Sequence, residues 1–332
     1  MQFHEVRRQQ FLAEDGYRAL DDALQAGIAA LEENYLENTA YPASQMRLSA
    51  SIARDMFAGL CLQFTAGLPI DPLRTQLESV LKAFERHAQH LWSVNDRNEP
   101  VFQFDVLDEY CQLMQLVGLC FLLHRRDLLP RIAAMQDGEG GKSNGGADTL
   151  FEEFMAYGLG PETRFETDTL CQIRPYENLF CGLTETTPQK GLKELELFLK
   201  HWYKDLAGTG WHDSHKPDEK GQQGGYHGYW SFEAGAAVLL LGIEDDSSLH
   251  KYLYYPKDMV AWAREHAALS HFDERAQARL RAMAGEPCPR EGFWFTPAKA
   301  DSHQRFEQGQ VMPSVGGDYG STIWQWAERQ GS

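Results

Sequence analysis

The sequence predicts an all-α protein: an antiparallel helical bundle, then a second helical domain, then an irregular, aromatic-rich C-terminal tail. Three observations carry that expectation. Apolar residues return every three or four positions over long stretches, prolines and glycines fall between those stretches, and no alternating series of strand type stands out.

From Asp15 to Asn38 the residues Tyr17, Leu20, Leu24, Ile28, Leu31 and Tyr35 gather on one helical face. Pro42 ends the next connection, and Arg47 to Gln63 continues the pattern until Gly67 and Pro69 break it. Asp71 and Pro72 then make a cap and first turn for a helix bearing Leu73, Leu77, Val80, Leu81, Phe84 and Leu91. A fourth helix, from near Asp105, carries Leu107, Tyr110, Met114, Val117 and Phe121. Residues 1–136 are therefore expected to form an antiparallel bundle.

The run Asp137 to Gly146, DGEGGKSNGG, offers little that could enter a core, so residues 137–147 are expected to be a flexible link. Beyond it, helical spacing recurs at Asp148 to Tyr157, Asp168 to Leu179, and Pro188 to Leu206 behind Thr187. After the polar stretch Gly208 to Gly225 come Gly228 to Leu241, a helix opened by Pro256 through Ala267, and one capped by Asp273 through Met283. A second helical domain over 148–285 follows, and 286–332 is expected to be a tail whose rings pack on the helices.

Of all residues, 43% are apolar, enough for a large core, but the longest apolar run, Leu113 to Leu123, is too short to span a bilayer. The opening MQFHEVRRQQF lacks an export pattern, and the cysteines are scattered without a C-x-x-C pair, so a reduced, cytoplasmic protein is expected. The 48 acidic against 31 basic side chains give a formal charge of −17, which disfavours direct contact with nucleic acid or anionic membranes. A basic protein partner suits it better.

Chemical motifs are sparse. QDGEGGKS (Gln136 to Ser143) comes near the phosphate-cradling G-x-x-x-x-G-K-S loop, but Gln136 stands where the first glycine belongs and a helix end, not a strand, precedes it. His201, His212, His215 and His227, with Asp213, Asp218 and Glu219, could supply metal ligands or acid–base groups, yet no H-E-x-x-H pattern occurs. A metal-dependent hydrolase built on His212, His215 and His227 is thus the enzymatic alternative, and a helical adaptor with several partners is a third reading. The expectation is no catalytic residue, no cofactor and no bound metal. Among the paired acids, Asp245 and Asp246 follow Leu241-Gly242-Ile243, where a turn would project both carboxylates away from the core.

The stretch Gly225 to Trp262 closely resembles the C-terminal domain of PoNi-type immunity proteins, which protect bacteria from PoNe-type DNase toxins delivered by contact-dependent systems such as type VI secretion. The resemblance rests on GYWSFEA at Gly228 to Ala234, on L-G-I-E-D-D at Leu241 to Asp246, and on YYPKD followed by an apolar residue, Tyr254 to Met259. It implies a single-toxin inhibitor, with homodimerisation open. Tyr229, Trp230, Phe232, Glu233, Tyr255, Pro256 and Asp258 are expected to build the domain, with Tyr229 and Glu233 sharing a helical face. Asp213, Asp218, Glu219, Glu244, Asp245 and Asp246 are the expected toxin contacts. The tail, Gly292 to Trp326, resembles the C-terminal portion of other large helical immunity proteins beside type VI effectors, which widens the toxin to nucleases of other classes.

Overall fold

The computed structural model describes residues 2–217, 225–270, 281–289, 291–296, 302–315 and 322–326. The chain divides into two compact units, Met1–Glu265 and His266–Ser332. The main elements described in the first are helices: α1 Phe3–Val6, α2 Glu14–Glu37, α3 Pro42–Thr65, α4 Asp71–Val94, α5 Leu107–Leu122, α6 Leu129–Gln136, α7 Thr149–Leu159, α8 Ile173–Thr184, α9 Pro188–Asp205, α10 Phe232–Leu240 and α11 Lys257–Glu265. Helices α3, α4 and α9 each open on a proline in the first turn, where the missing N–H is no loss. Asp148 caps α7, its carboxylate accepting from the Phe151 amide at 2.9 Å.

Packing departs from a self-contained N-terminal bundle. Helix α2 lies on α3 and α3 on α4, but the main partner of α5 is α10, from the far half of the chain. Eleven of the sixteen residues of α5 are buried, which makes it the axis around which the unit is assembled. The crossing is close enough to need a glycine: a Cβ on Gly118 would stand 2.6 Å from the Glu233 nitrogen and from the Phe232 carbonyl carbon. By contrast no residue of α2 is fully buried, so its apolar face is only half covered.

The glycine-rich run expected to link two domains lies inside the first unit. Arg164, its side chain 5% exposed, holds Asp137 through both terminal nitrogens (2.8 and 2.9 Å) and Glu152 Oε2 through Nε (2.8 Å). The other Glu152 oxygen accepts from the Gly146 amide at 2.8 Å. Charge-assisted bonds therefore pin both ends of a segment with no core residues of its own.

The second unit corrects the expectation for the tail. Arg281–Met283 (β1), Gly292–Phe295 (β2), Gln304–Phe306 (β3) and Ile323–Trp326 (β4) form an antiparallel sheet in the order β1-β4-β2-β3. Of the helix expected from Asp273 to Met283, residues 281–283 form strand β1 instead, and residues 273–280 lie outside those described. Ala282, Trp294, Phe306 and Trp324, one from each strand, are buried with Cys288 and Met312 in a core of this unit's own. The Trp324 indole donates to the Pro313 carbonyl at 2.8 Å, and its ring meets Phe306 edge-on at 4.8 Å.

Replacing Gly118 by alanine should lower unfolding stability by about 2 kcal/mol, since the clash is with backbone that cannot rotate away. A urea midpoint unchanged from the native protein would show that the α5–α10 spacing is not limiting.

Candidate functional site

Residues 226–231 cross the interior of the first unit without regular secondary structure, so each of their peptide groups needs a partner from elsewhere. Gln9, 1% exposed, supplies two: its Oε1 accepts from the Tyr229 amide at 2.9 Å and its Nε2 donates to the Tyr229 carbonyl at 2.6 Å. Gln9 Nε2 also donates to the Leu253 carbonyl, and its Oε1 accepts from the Tyr226 hydroxyl. Gln115 on α5 donates to the Trp230 carbonyl at 2.7 Å, and the Ser231 amide donates to the Tyr254 carbonyl at 2.9 Å. Thr65 on α3 accepts from the Trp230 indole at 2.8 Å and lies 2.7 Å from the His227 carbonyl. Here too a side chain has no room: a Cβ on Gly228, at φ +110°, would lie 2.1 Å from Thr65 Oγ1.

Glu233 follows, on the first turn of α10 and fully buried. Its Oε1 accepts from the Trp202 indole (3.0 Å) and the Ser231 hydroxyl (2.9 Å), whereas Oε2 has no partner. Burial pushes the carboxyl from its ordinary 4.5 up to about 7, the two donors only partly opposing it. Tyr229 is not on the helix with Glu233, because α10 begins only at Phe232. Instead its hydroxyl turns to His215, 2.7 Å from Nδ1, while Trp202 and Tyr203 approach Tyr254 at ring centroids 5.1 and 5.3 Å away.

The turn after α10 separates the two acids that were expected to project together. Asp245 is exposed and accepts from the Ser247 amide at 3.0 Å. Asp246 is 5% exposed, accepts from the buried Tyr255 hydroxyl, and pairs with Arg264 at 2.8 Å. Burial would raise its carboxyl, but Tyr255 and Arg264 outweigh that and hold it below the ordinary value. Pro256 packs toward Gly235, and Asp258 pairs with Arg8 at 3.1 Å, tying α11 to the N-terminal segment.

Of the remaining expected contacts, Glu244 is exposed, and Asp218 and Glu219 lie outside the described residues. Asp213 is already engaged by Lys216 and the Tyr203 hydroxyl, both at 2.7 Å, which hold its carboxyl down to about 2. The histidines do not converge: His212 stacks on Tyr203, His215 on Phe11, and His227 turns to the Gly225 carbonyl. Among the described residues no group of three or more His, Cys, Asp or Glu is placed to hold a metal ion. Nor is any described helix long and apolar enough to cross a membrane.

These features define a predominantly helical protein whose conspicuous motif is mostly built into the interior, with Trp230, Tyr255 and Asp258 also lining a cavity of about 320 Å³. Residues 146–259 match the family model of PoNe immunity proteins (PoNi), C-terminal, and over that region the chain is similar to that family. The crystal structure of protein PA2201 from Pseudomonas aeruginosa is similar in fold, with a TM-score of 0.62 and 17% identity, covering 79% of this chain and 92% of that one. No curated protein matches.

Gln9, Thr65 and Gln115 escape sequence reading, because nothing local marks a polar residue that will serve a peptide group more than a hundred positions away. Glu233 supplies a pH prediction. The unfolded carboxyl ionises near 4.5 and the folded one near 7, so folding retains a proton between those values and stability falls as pH rises through them. The loss should be on the order of 3 kcal/mol, all of it incurred by about pH 7. Glu233→Gln should flatten this slope in urea unfolding at pH 5 and 8; equal slopes in both proteins would refute the assignment.

Proposed function

We propose that this chain is an immunity protein that binds and neutralises a nuclease toxin of the PoNe kind, delivered by type VI secretion or a related contact-dependent system. The observation that carries the proposal is the PoNi match over residues 146–259. In this reading the protein acts by occupying the toxin, covering its cleft or blocking its assembly, and not by turning over a substrate. A nuclease that grips phosphates needs a basic surface, and a partner of formal charge −17 is drawn to such a surface over long range.

Within the motif region, Glu244 and Asp245 are the acids that stand free at the surface, whereas Asp246 is committed to Tyr255 and Arg264. Charge complementarity at such a rim acts mainly on the association rate.

The test is co-expression with the nuclease encoded in the adjacent reading frame, followed by measured binding. Protection of the cell and a stoichiometric complex are expected; a nuclease left fully toxic would end the proposal. The double variant Glu244→Lys, Asp245→Lys should slow association by roughly tenfold at low salt with no change in thermal midpoint. Asp246→Lys should instead lower that midpoint, since it leaves Tyr255 and Arg264 facing a like or missing charge. An unaltered association rate in the double variant would remove this turn from the interface while leaving the protection result to stand.

A further inference from the structure

Beside α2 runs a groove of about 670 Å³, walled by α2, α3 and α5 and closed by the segment that follows α9. Its apolar lining includes Leu24, Phe57, Val106 and Trp211, and Val106 is 42% exposed. Along the α2 wall the apolar face is only half covered, since no residue of that helix is fully buried. Leu20 and Leu24 of this 24-residue amphipathic helix line the groove and are only half-buried, which leaves apolar surface that a second element could cover.

The charged groups of the groove are mostly of one sign. Among the described residues that line it, Asp55, Asp108 and Glu109 accompany one cation, Arg54, whose Nε is turned to the Ala50 carbonyl at 3.3 Å. Asp108 accepts from the Gly210 amide and Glu109 from the Gln103 amide. Asp55 is half-buried and, among the described residues, makes no hydrogen bond or ion pair. Burying a carboxylate without a donor is unfavourable, and an incoming cation would relieve it.

We propose that this groove receives a basic, amphipathic segment of the partner protein, its apolar side against Leu24, Phe57, Val106 and Trp211 and a lysine or arginine reaching Asp55. The assignment rests on the immunity reading above and adds to it a surface away from the Glu244–Asp245 turn. Apolar anchors in the groove would govern how long the complex lasts, and the acids its orientation.

The full-length protein can be titrated with a fluorescein-labelled 18-residue helical peptide of leucines on one face and lysines on the other, followed by anisotropy. The wild type should bind it. Asp55→Lys and Leu24→Gln should each weaken binding at least tenfold, whereas Glu162→Lys, an equal charge change at an exposed turn outside the groove, should shift it less than twofold. Should Asp55→Lys fail to fold in a thermal melt, Asp55→Asn replaces it, with a threefold weakening expected. Equal weakening by the Glu162 variant would mean that net charge alone attracts the peptide, and would overturn the groove, as would no binding at all. Protection against the nuclease is measured on the same variants. Protection kept by both groove variants overturns the groove and spares the immunity reading, while a wild type that gives no protection sinks that reading whatever the peptide does.

Discussion

The first unit is organised around the burial of a chain segment that is neither helix nor strand. Of residues 226–231, Tyr226, Tyr229, Trp230 and Ser231 are buried, where water does not reach to satisfy their peptide groups. An unpaired buried amide or carbonyl costs about 1–3 kcal/mol, so this path exists only where the surrounding elements bring donors and acceptors to it. Gln9 from the N-terminal segment, Thr65 from α3, Gln115 from α5 and the Tyr254 carbonyl from the segment before α11 all do so. Parts of the chain separated by as many as 220 residues are therefore held together by the needs of one short stretch. This also explains why the first 136 residues do not stand as a separate bundle: their central helix, α5, is completed by α10, and their polar side chains complete the motif.

The carboxylates divide along the same line. Glu233, Asp246, Asp148 and the Asp137–Glu152 pair around Arg164 are buried, and each is answered by named donors except for one oxygen of Glu233. Such groups hold the fold and cannot also meet a partner. The formal charge of −17 thus overstates what the surface offers, and counting acids does not locate an interface. Many acids do remain exposed, among them Asp15, Asp22, Glu33 and Glu37 on α2 as well as Glu244 and Asp245, so it is geometry and not number that singles out a surface.

Much of the helical unit was legible because periodicity is a local signal. The stretch from Asp15 to Asn38 differs from α2 by one residue at either end, and Pro188 sets the start of α9 as its missing N–H requires. The sheet was not legible, because its strands are three or four residues long, too short to show alternation, and β1 pairs with β4 some forty residues away. The pair Asp245 and Asp246 failed for a related reason. Adjacent acids look equivalent in sequence, and only the return of Tyr255 and Arg264 to the same turn decides which is drawn inward. The glycine-rich run reads as a link until Arg164, 27 positions from Asp137, is seen to close it.

A binder made this way gains from the rigidity of its interior. Association must offset the ordering of side chains and loops at the contact, and that cost is smaller when the frame is fixed before the partner arrives. The motif segment supplies such a frame, while α2 carries no fully buried residue. On the proposed reading stability and recognition fall to different residues: Gln9, Gly118 and Glu233 serve the interior, and Leu24, Asp55, Glu244 and Asp245 would serve the partner. A fold divided in this way can keep one core and present different surfaces, which is what an inhibitor matched to a single toxin requires.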